Sequence, residues 1–485
     1  MFHHICASVM LASVALSAWG ADPVLKIRNV EKTDTVYSST YNLTAVTDAG
    51  AQAWINGEET HVYRTGTFGA AVKLAPGLNE ITVKVQNANG STTATRRLFL
   101  ADRKAPKQET KTVTASVFES PVHILTLPGA YLQYGNGDDR LGGSKMGYIA
   151  PDIAMTAVGS EGSLYKVALS RTRYAYIPKE YAKLGGEGAA TVNTGSWSIS
   201  DAGKTDRISV SLPERLPYYA KAEIDPSTIK VTLYGAMNNS NWITQRSLNL
   251  GIVDYVDFQQ EESDVLTVVI RLKDKYQWGY SVKYEGTNLT IDVRHRPASL
   301  KLSDLTIGLD AGHGGEYAGA VSLSGINEKD VNLDIVLKAA DMLRKKGAKV
   351  VLTRDGDTGP SMTERKRIWL EGNVDLAVSV HNNASGNPLV KIGSSTYYKH
   401  IPYRALAAEL LEKQLELGHE NFGLVGNFNF SLNQPTEYPN ALVEVLFMSS
   451  LPEEELLADP EHRTRIAAKV VEGIEQYLKK AASSK

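Results

Sequence analysis

Leu305-Thr-Ile-Gly-Leu-Asp-Ala-Gly-His-Gly-Gly315 begins as an apolar run with the texture of a buried strand and ends in a glycine-rich turn that carries His313. A second run, Asp375-Leu-Ala-Val-Ser-Val-His-Asn-Asn383, ends the same way at His381. Between them Gly325-Ile-Asn-Glu-Lys-Asp330 sets Glu328 at the head of a helical pattern, in which Val331, Ile335, Ala339 and Met342 recur at helical spacing up to Gly347. Residues 348–354 read as a strand; 362–370, 404–417 and 463–480 read as helices. Near the end, Ala441-Leu-Val-Glu-Val-Leu-Phe447 places Glu444 in the middle of an apolar strand. Strands alternating with helices over 302–481 predict an α/β domain, a mostly parallel twisted sheet covered by helices. Such sheets bind ligands beyond the carboxyl ends of their strands, where His313 and His381 both fall.

Each residue has a bland alternative. His313 can simply occupy a tight turn whose glycines serve the backbone. Glu328 follows Asn327, a good N-cap residue, and can merely complement a helix dipole. His381 can be a core histidine bonded to a carbonyl. Glu444 is harder to dismiss, because an ionised and unpaired carboxylate among Leu442, Val443, Val445 and Leu446 would lose several kcal/mol to desolvation. Only an edge strand with Glu444 turned outward would relieve that. Taken together, His313, Glu328 and His381 make the three-ligand set of a catalytic zinc with one open position, and Glu444 is a carboxylate able to move protons beside it.

These motifs carry a family resemblance. Asp310-Ala-Gly-His-Gly-Gly315, Glu328-Lys329 followed by Asn332-Leu333, Thr353-Arg354, Arg365, Ser379-Val-His-Asn-Asn383 and Leu442-Val-Glu444, in that order, resemble the zinc-dependent N-acetylmuramoyl-L-alanine amidases over the last third of the chain. The resemblance implies hydrolysis of the amide joining the lactyl group of N-acetylmuramic acid to L-alanine, with peptidoglycan as substrate. It implies Zn2+ held by His313, Glu328 and His381, and Glu444 as the catalytic carboxylate. Only a short stretch, 382–393, precedes the next strand, so the long helical insertion that plugs the site in some members is not expected. Competing readings are an inactive wall-binding scaffold and a zinc hydrolase of another peptidoglycan bond.

The remainder reads as a series of all-β modules. Residues 22–103 resemble bacterial immunoglobulin-like domains, with Asn56-Gly57 and Asn89-Gly90 as hairpin turns. A polar linker broken by Pro106 follows. Residues 112–184 resemble SH3-like domains, and 191–298 resemble the β targeting module that precedes some wall amidases. In the last of these, half-buried alternating strands are expected, and Tyr276, Trp278 and Tyr280 are read as one core-facing strand surface rather than a sugar-stacking platform.

The chain has 485 residues, too many for one core, and a formal net charge of −2. No basic stripe points to nucleic acid. The apolar segment 5–19, followed by Gly20-Ala21-Asp22, has the length of a signal-peptide core, so residues 1–20 are expected to direct export to the periplasm or cell wall. The single cysteine, Cys6, lies within it, and the mature chain would hold no disulfide. No later stretch approaches the ~20 apolar residues of a membrane span. The sequence names no activator.

Overall fold

The computed structural model describes residues 22–29, 33–102, 114–137, 145–187, 190–240, 243–245 and 249–484. The expected signal segment 1–20 and the linker around Pro106 lie outside these. The chain forms two compact units, divided at Ala105 and Pro106.

The first unit is all β. A three-stranded sheet, with Thr40–Val46 at its centre, shares one apolar cluster with a five-stranded sheet built on the hairpin Gly77–Gln86 and Ser91–Leu100. Leu43, Phe68, Val83 and Leu98 are wholly buried there. Asn56 and Gly57 both take positive φ at the turn joining Gln52–Ile55 to Glu58–Thr60, as an Asn-Gly hairpin requires.

The second unit begins with a seven-stranded sheet drawn from 115–184, then a five-stranded and a four-stranded sheet from 197–294. Their buried side chains run together into one cluster, from Ile124 to Val293. Alternation underestimated burial here: Val265 to Ile270 are all buried, because Val265–Leu272 lies inside its sheet between Ser227–Tyr234 and Val253–Glu262. The aromatic triplet also differs from expectation. The strand starts only at Tyr280, after Gly279 at φ 122°. Tyr276 and Trp278 precede it and pack on Tyr477 near the C-terminus, with ring centroids 5.7 and 6.1 Å away.

The α/β part has strands β1 (Thr306–Ala311), β2 (Lys349–Leu352), β3 (Leu376–Asn383), β4 (Ser394–Tyr397), β5 (Asn421–Val425) and β6 (Asn440–Phe447). Its helices are α1 (Glu328–Lys345), α2 (Met362–Glu371), α3 (Arg404–Leu415), α4 (Leu451–Ala458) and α5 (Pro460–Ser483). The sheet order is β2-β1-β3-β6-β4-β5. The first four strands are parallel, and β4 turns antiparallel to β6. Ile307, Leu309, Val378, Val380, Val443 and Val445 share a cluster with α1, α3 and α5. The opposite face meets Trp369 of α2, which packs with Ala377 and Tyr438. Coverage on both faces explains why β1, β3 and β6 are continuous apolar runs. The connection 384–393 contains no helix.

Trp278 is 1% exposed and belongs to this α/β core although it precedes the domain in sequence. Arg294 adds a second tie, donating to Asp375 Oδ1 at 2.8 Å and to the Val374 carbonyl at 2.6 Å. Trp278→Ala should therefore destabilise the α/β part by about 3–5 kcal/mol, the usual loss for a buried tryptophan, measured by denaturant unfolding.

A buried histidine pair joins β4 to α5. Ser394 Oγ donates to the Val445 carbonyl and lies 2.8 Å from His419 Nδ1, and His419 Nε2 lies 2.9 Å from His462 Nε2. Burial pushes His419 down to about 3 and His462 down to about 4, each helped by a neighbouring cationic or ionisable group. The unfolded chain takes up these protons first, near pH 6.5. The contribution of the pair is thus present above that pH and is lost as pH falls towards 3. Thermal melts from pH 7 to 4 should show this loss, and His462→Gln should flatten the dependence.

Candidate metal centre

His313, Glu328 and His381 come together from three elements: the turn after β1, the first residue of α1, and the end of β3. His313 Nε2 and His381 Nδ1 each lie 3.1 Å from a different oxygen of Glu328. The two rings stand 4.9 Å apart and nearly perpendicular.

Glu328 is 3% exposed, and its oxygens are also supplied with donors from the protein. The Ala320 N–H donates to Oε2 at 2.9 Å; the Asn382 N–H and Asn332 Nδ2 donate to Oε1 at 3.1 Å each. Burial alone would raise its pKa, but hydrogen bonds and charge from His313 and His381 hold it far below the ordinary glutamate range. At His381, burial opposes the charged ring, but the bond to Glu328 and the nearby carboxylates outweigh it and raise the pKa. Asn327 sits at the N-cap position of α1 without capping it; its Nδ2 donates to Asp330 instead, at 3.0 Å.

The turn carrying His313 is held by charges buried beneath it. Asp310 is fully buried and accepts from Arg365 Nη1, Thr353 Oγ1 and Ser379 Oγ. Arg365 also donates to the carbonyls of Ala311 at 2.8 Å and His313 at 2.6 Å. Arg354 donates to those of Ala311 at 2.8 Å and Gly312 at 3.0 Å. His313 is thereby kept at φ 62°, a left-handed conformation uncommon outside glycine.

Glu444 pairs in register with His381 on β3 and with Ser395 on β4. Because β6 is internal, the outward edge placement is removed. Glu444 is 8% exposed, and its Oε2 is buried without a hydrogen-bond partner. Burial, reinforced by Glu328 and partly offset by His381, pushes its pKa up to about 8. A cluster of two imidazole nitrogens and a carboxylate, with an unpartnered buried carboxylate near one of the rings, fits a metal ion and its water. A second grouping, Asp201, Asp206 and His295, does not. Asp206 there already accepts the N–H groups of Gly251, Ile252 and Val253 and faces His295 Nε2 at 2.8 Å, so it serves as a backbone clamp.

Of the residues expected from sequence, the structure brings His313, Glu328 and His381 together and sets Glu444 in register with His381; the sequence did not give the roles of Asp310, Asn332, Arg354 and Arg365. Asp310 carried the same signal as Glu444, a carboxylate inside an apolar strand. Asn383 Oδ1 accepts the Ala384 N–H at 2.8 Å.

The profile of the N-acetylmuramoyl-L-alanine amidase family matches residues 307–476. The germination-specific N-acetylmuramoyl-L-alanine amidase of Bacillus subtilis is 32% identical over 199 residues, which are 38% of this chain and 84% of that protein. The probable cell wall amidase LytH of Staphylococcus saprophyticus is 30% identical over 197 residues, 40% of this chain and 65% of the relative. Among solved structures, the N-acetylmuramoyl-L-alanine amidase AmiC2 of Nostoc punctiforme aligns at 32% identity over 36% of this chain and 97% of that one, with a TM-score of 0.35. The chain belongs to the N-acetylmuramoyl-L-alanine amidase family.

Gly312 allows the two histidines to approach. A Cβ there would lie 2.2 Å from the His381 ring. Gly312→Ala should displace that ring and lower zinc affinity at least tenfold, read by competition with a chromophoric chelator, while the far-UV circular dichroism stays unchanged.

Proposed function

We propose that this protein is a zinc-dependent peptidoglycan amidase that cleaves the bond between N-acetylmuramic acid and L-alanine. The observation that carries the proposal is Glu444, buried, unpartnered and in register with His381 in a chain of this family. His313, Glu328 and His381 would hold the ion, and the hydrogen bonds from Asn332 and the Asn382 N–H would orient Glu328 towards it. Bound there, zinc would supply a Lewis acid able to bring the pKa of water from 15.7 to about 7.

Glu444 takes the proton of the attacking water and delivers it to the leaving amine. Its buried position suits that transfer, because Oε2 has no hydrogen-bond partner in the protein and is left to take the proton. The short helix-free connection after β3 leaves out the kind of plug weighed at the sequence level. We further propose that residues 1–20 direct export, that the enzyme works in the periplasm or wall, and that the immunoglobulin-like, SH3-like and targeting modules hold it on peptidoglycan.

Glu444→Gln keeps size and hydrogen-bonding capacity but cannot accept the proton. It should lower kcat by about 10²–10⁴, with zinc content retained. Zinc stoichiometry and muropeptide cleavage measured on one preparation check this. Zinc falling together with activity would make Glu444 a ligand, and near-normal turnover would remove it from the mechanism.

A further inference from the structure

A cleft of about 770 Å³ opens at the far end of the α/β sheet from the metal centre, where the seven-stranded sheet, the 197–294 sheets and helix α2 meet. Its volume is that of a site for a sizeable organic ligand. Tyr438 on its wall lies six residues before Glu444 along the chain into β6, roughly 20 Å at the rise of a strand. Whatever occupies the cleft is thus a different group from the one being cut.

The lining is aromatic and cationic. Tyr148 is exposed, and Tyr219 and Tyr284 are half-buried. Tyr284 is locked in place, its hydroxyl donating to the Leu216 carbonyl at 2.8 Å and accepting the Leu216 N–H at 2.9 Å. Tyrosine rings offer apolar bodies, a suitable surface for the C–H faces of sugars. Lys366 of α2 is half-buried and, among the described residues, makes no ion pair; its ammonium lies 5.2 Å from the centre of the Tyr148 ring. Burial and the nearby Lys145 both disfavour its charge. Arg215, over the ring of Tyr284, adds a second cation. Glu437, the acid on this wall, has its pKa raised by burial, which weakens it as a counter-charge. An anionic group entering beside Lys366 would complete a charge-assisted hydrogen bond that the protein itself does not supply.

The proposed reaction makes such a group. Water adds across the lactyl amide, the C–N bond breaks, the amine leaves with the stem peptide, and a carboxylate remains on each stripped muramic acid. We propose that this cleft binds peptide-free glycan, seating sugar rings on its tyrosines and a lactyl carboxylate on Lys366, so that the enzyme is retained on strands already processed. The inference rests on the amidase reading for its source of ligand.

The test uses the full chain and a labelled oligosaccharide of N-acetylglucosamine and N-acetylmuramic acid freed of peptide, with the same oligosaccharide methyl-amidated as the neutral control. Binding should be at least tenfold tighter for the free acid. Lys366→Gln and, independently, the exposed-site variant Tyr148→Ala should each weaken it at least tenfold, Lys366→Arg should largely retain it, and cleavage of a small soluble muropeptide should be unchanged in all three. Equal affinity for acid and amide, absence of binding, insensitivity to both Lys366→Gln and Tyr148→Ala, or tighter binding of a polyol-phosphate polymer would overturn the proposal. The probe has no scissile amide, so its binding is read separately from catalysis. Loss of muropeptide cleavage by the unaltered chain would instead count against the amidase reading.

Discussion

The buried pair of Asp310 and Arg365 is the contact on which the grouping of His313, Glu328 and His381 depends. Two arginines lie under one glycine-rich turn, and only Asp310 forms an ion pair with either of them among the described residues. Their other donors go to the turn carbonyls of Ala311, Gly312 and His313 and to those of Lys329, Gly356 and Pro360, so relaxing the turn would strip buried charges of part of their hydrogen bonding. Breaking such a pair from one side is strongly unfavourable, on the order of 3–5 kcal/mol. That penalty keeps His313 in a left-handed conformation that a histidine would otherwise leave.

The same logic of partners and vacancies extends to the carboxylates around the centre. Glu328 is enclosed by donors and stays ionised far below its ordinary range. Glu444 on the adjacent strand is buried with its Oε2 unpartnered and is pushed the other way. Two carboxylates of one site are thereby driven apart by their surroundings. The difference comes from the backbone around each group. Glu328 receives N–H groups from Ala320, in the connection before α1, and from Asn382 on β3, whereas Glu444 sits inside β6, where the backbone groups are taken by β3 and β4.

The β-rich region before the α/β part is joined to it structurally and does not merely precede it. Trp278 and Tyr276 fill space beside Tyr477, and a Cβ at Gly279 would lie 2.2 Å from the Glu437 carbonyl. This close approach brings Glu437 and α2 up against the tyrosines of the β sheets and forms the far cleft.

Sequence alone determined the α/β pattern and singled out His313, Glu328 and His381, which the structure brings together, and Glu444, which it sets in register with His381. Apolar runs ending in Gly-His and His-Asn, a glutamate at a helix start and a carboxylate within a strand are local signals, each set by desolvation or by backbone geometry. Periodicity also placed α1, α2 and α3 within a few residues of their ends. It could not decide which strand lies beside which, so the internal position of β6, which forces Glu444 inward, came only from the sheet order. Nor could it separate Tyr280 from Tyr276 and Trp278, since alternation is the same whether a residue faces its own sheet or a neighbouring domain. Those outcomes depend on contacts between residues far apart in the chain, such as Trp278 with Tyr477 and Asp310 with Arg365, and such contacts exist only once the tertiary structure has formed.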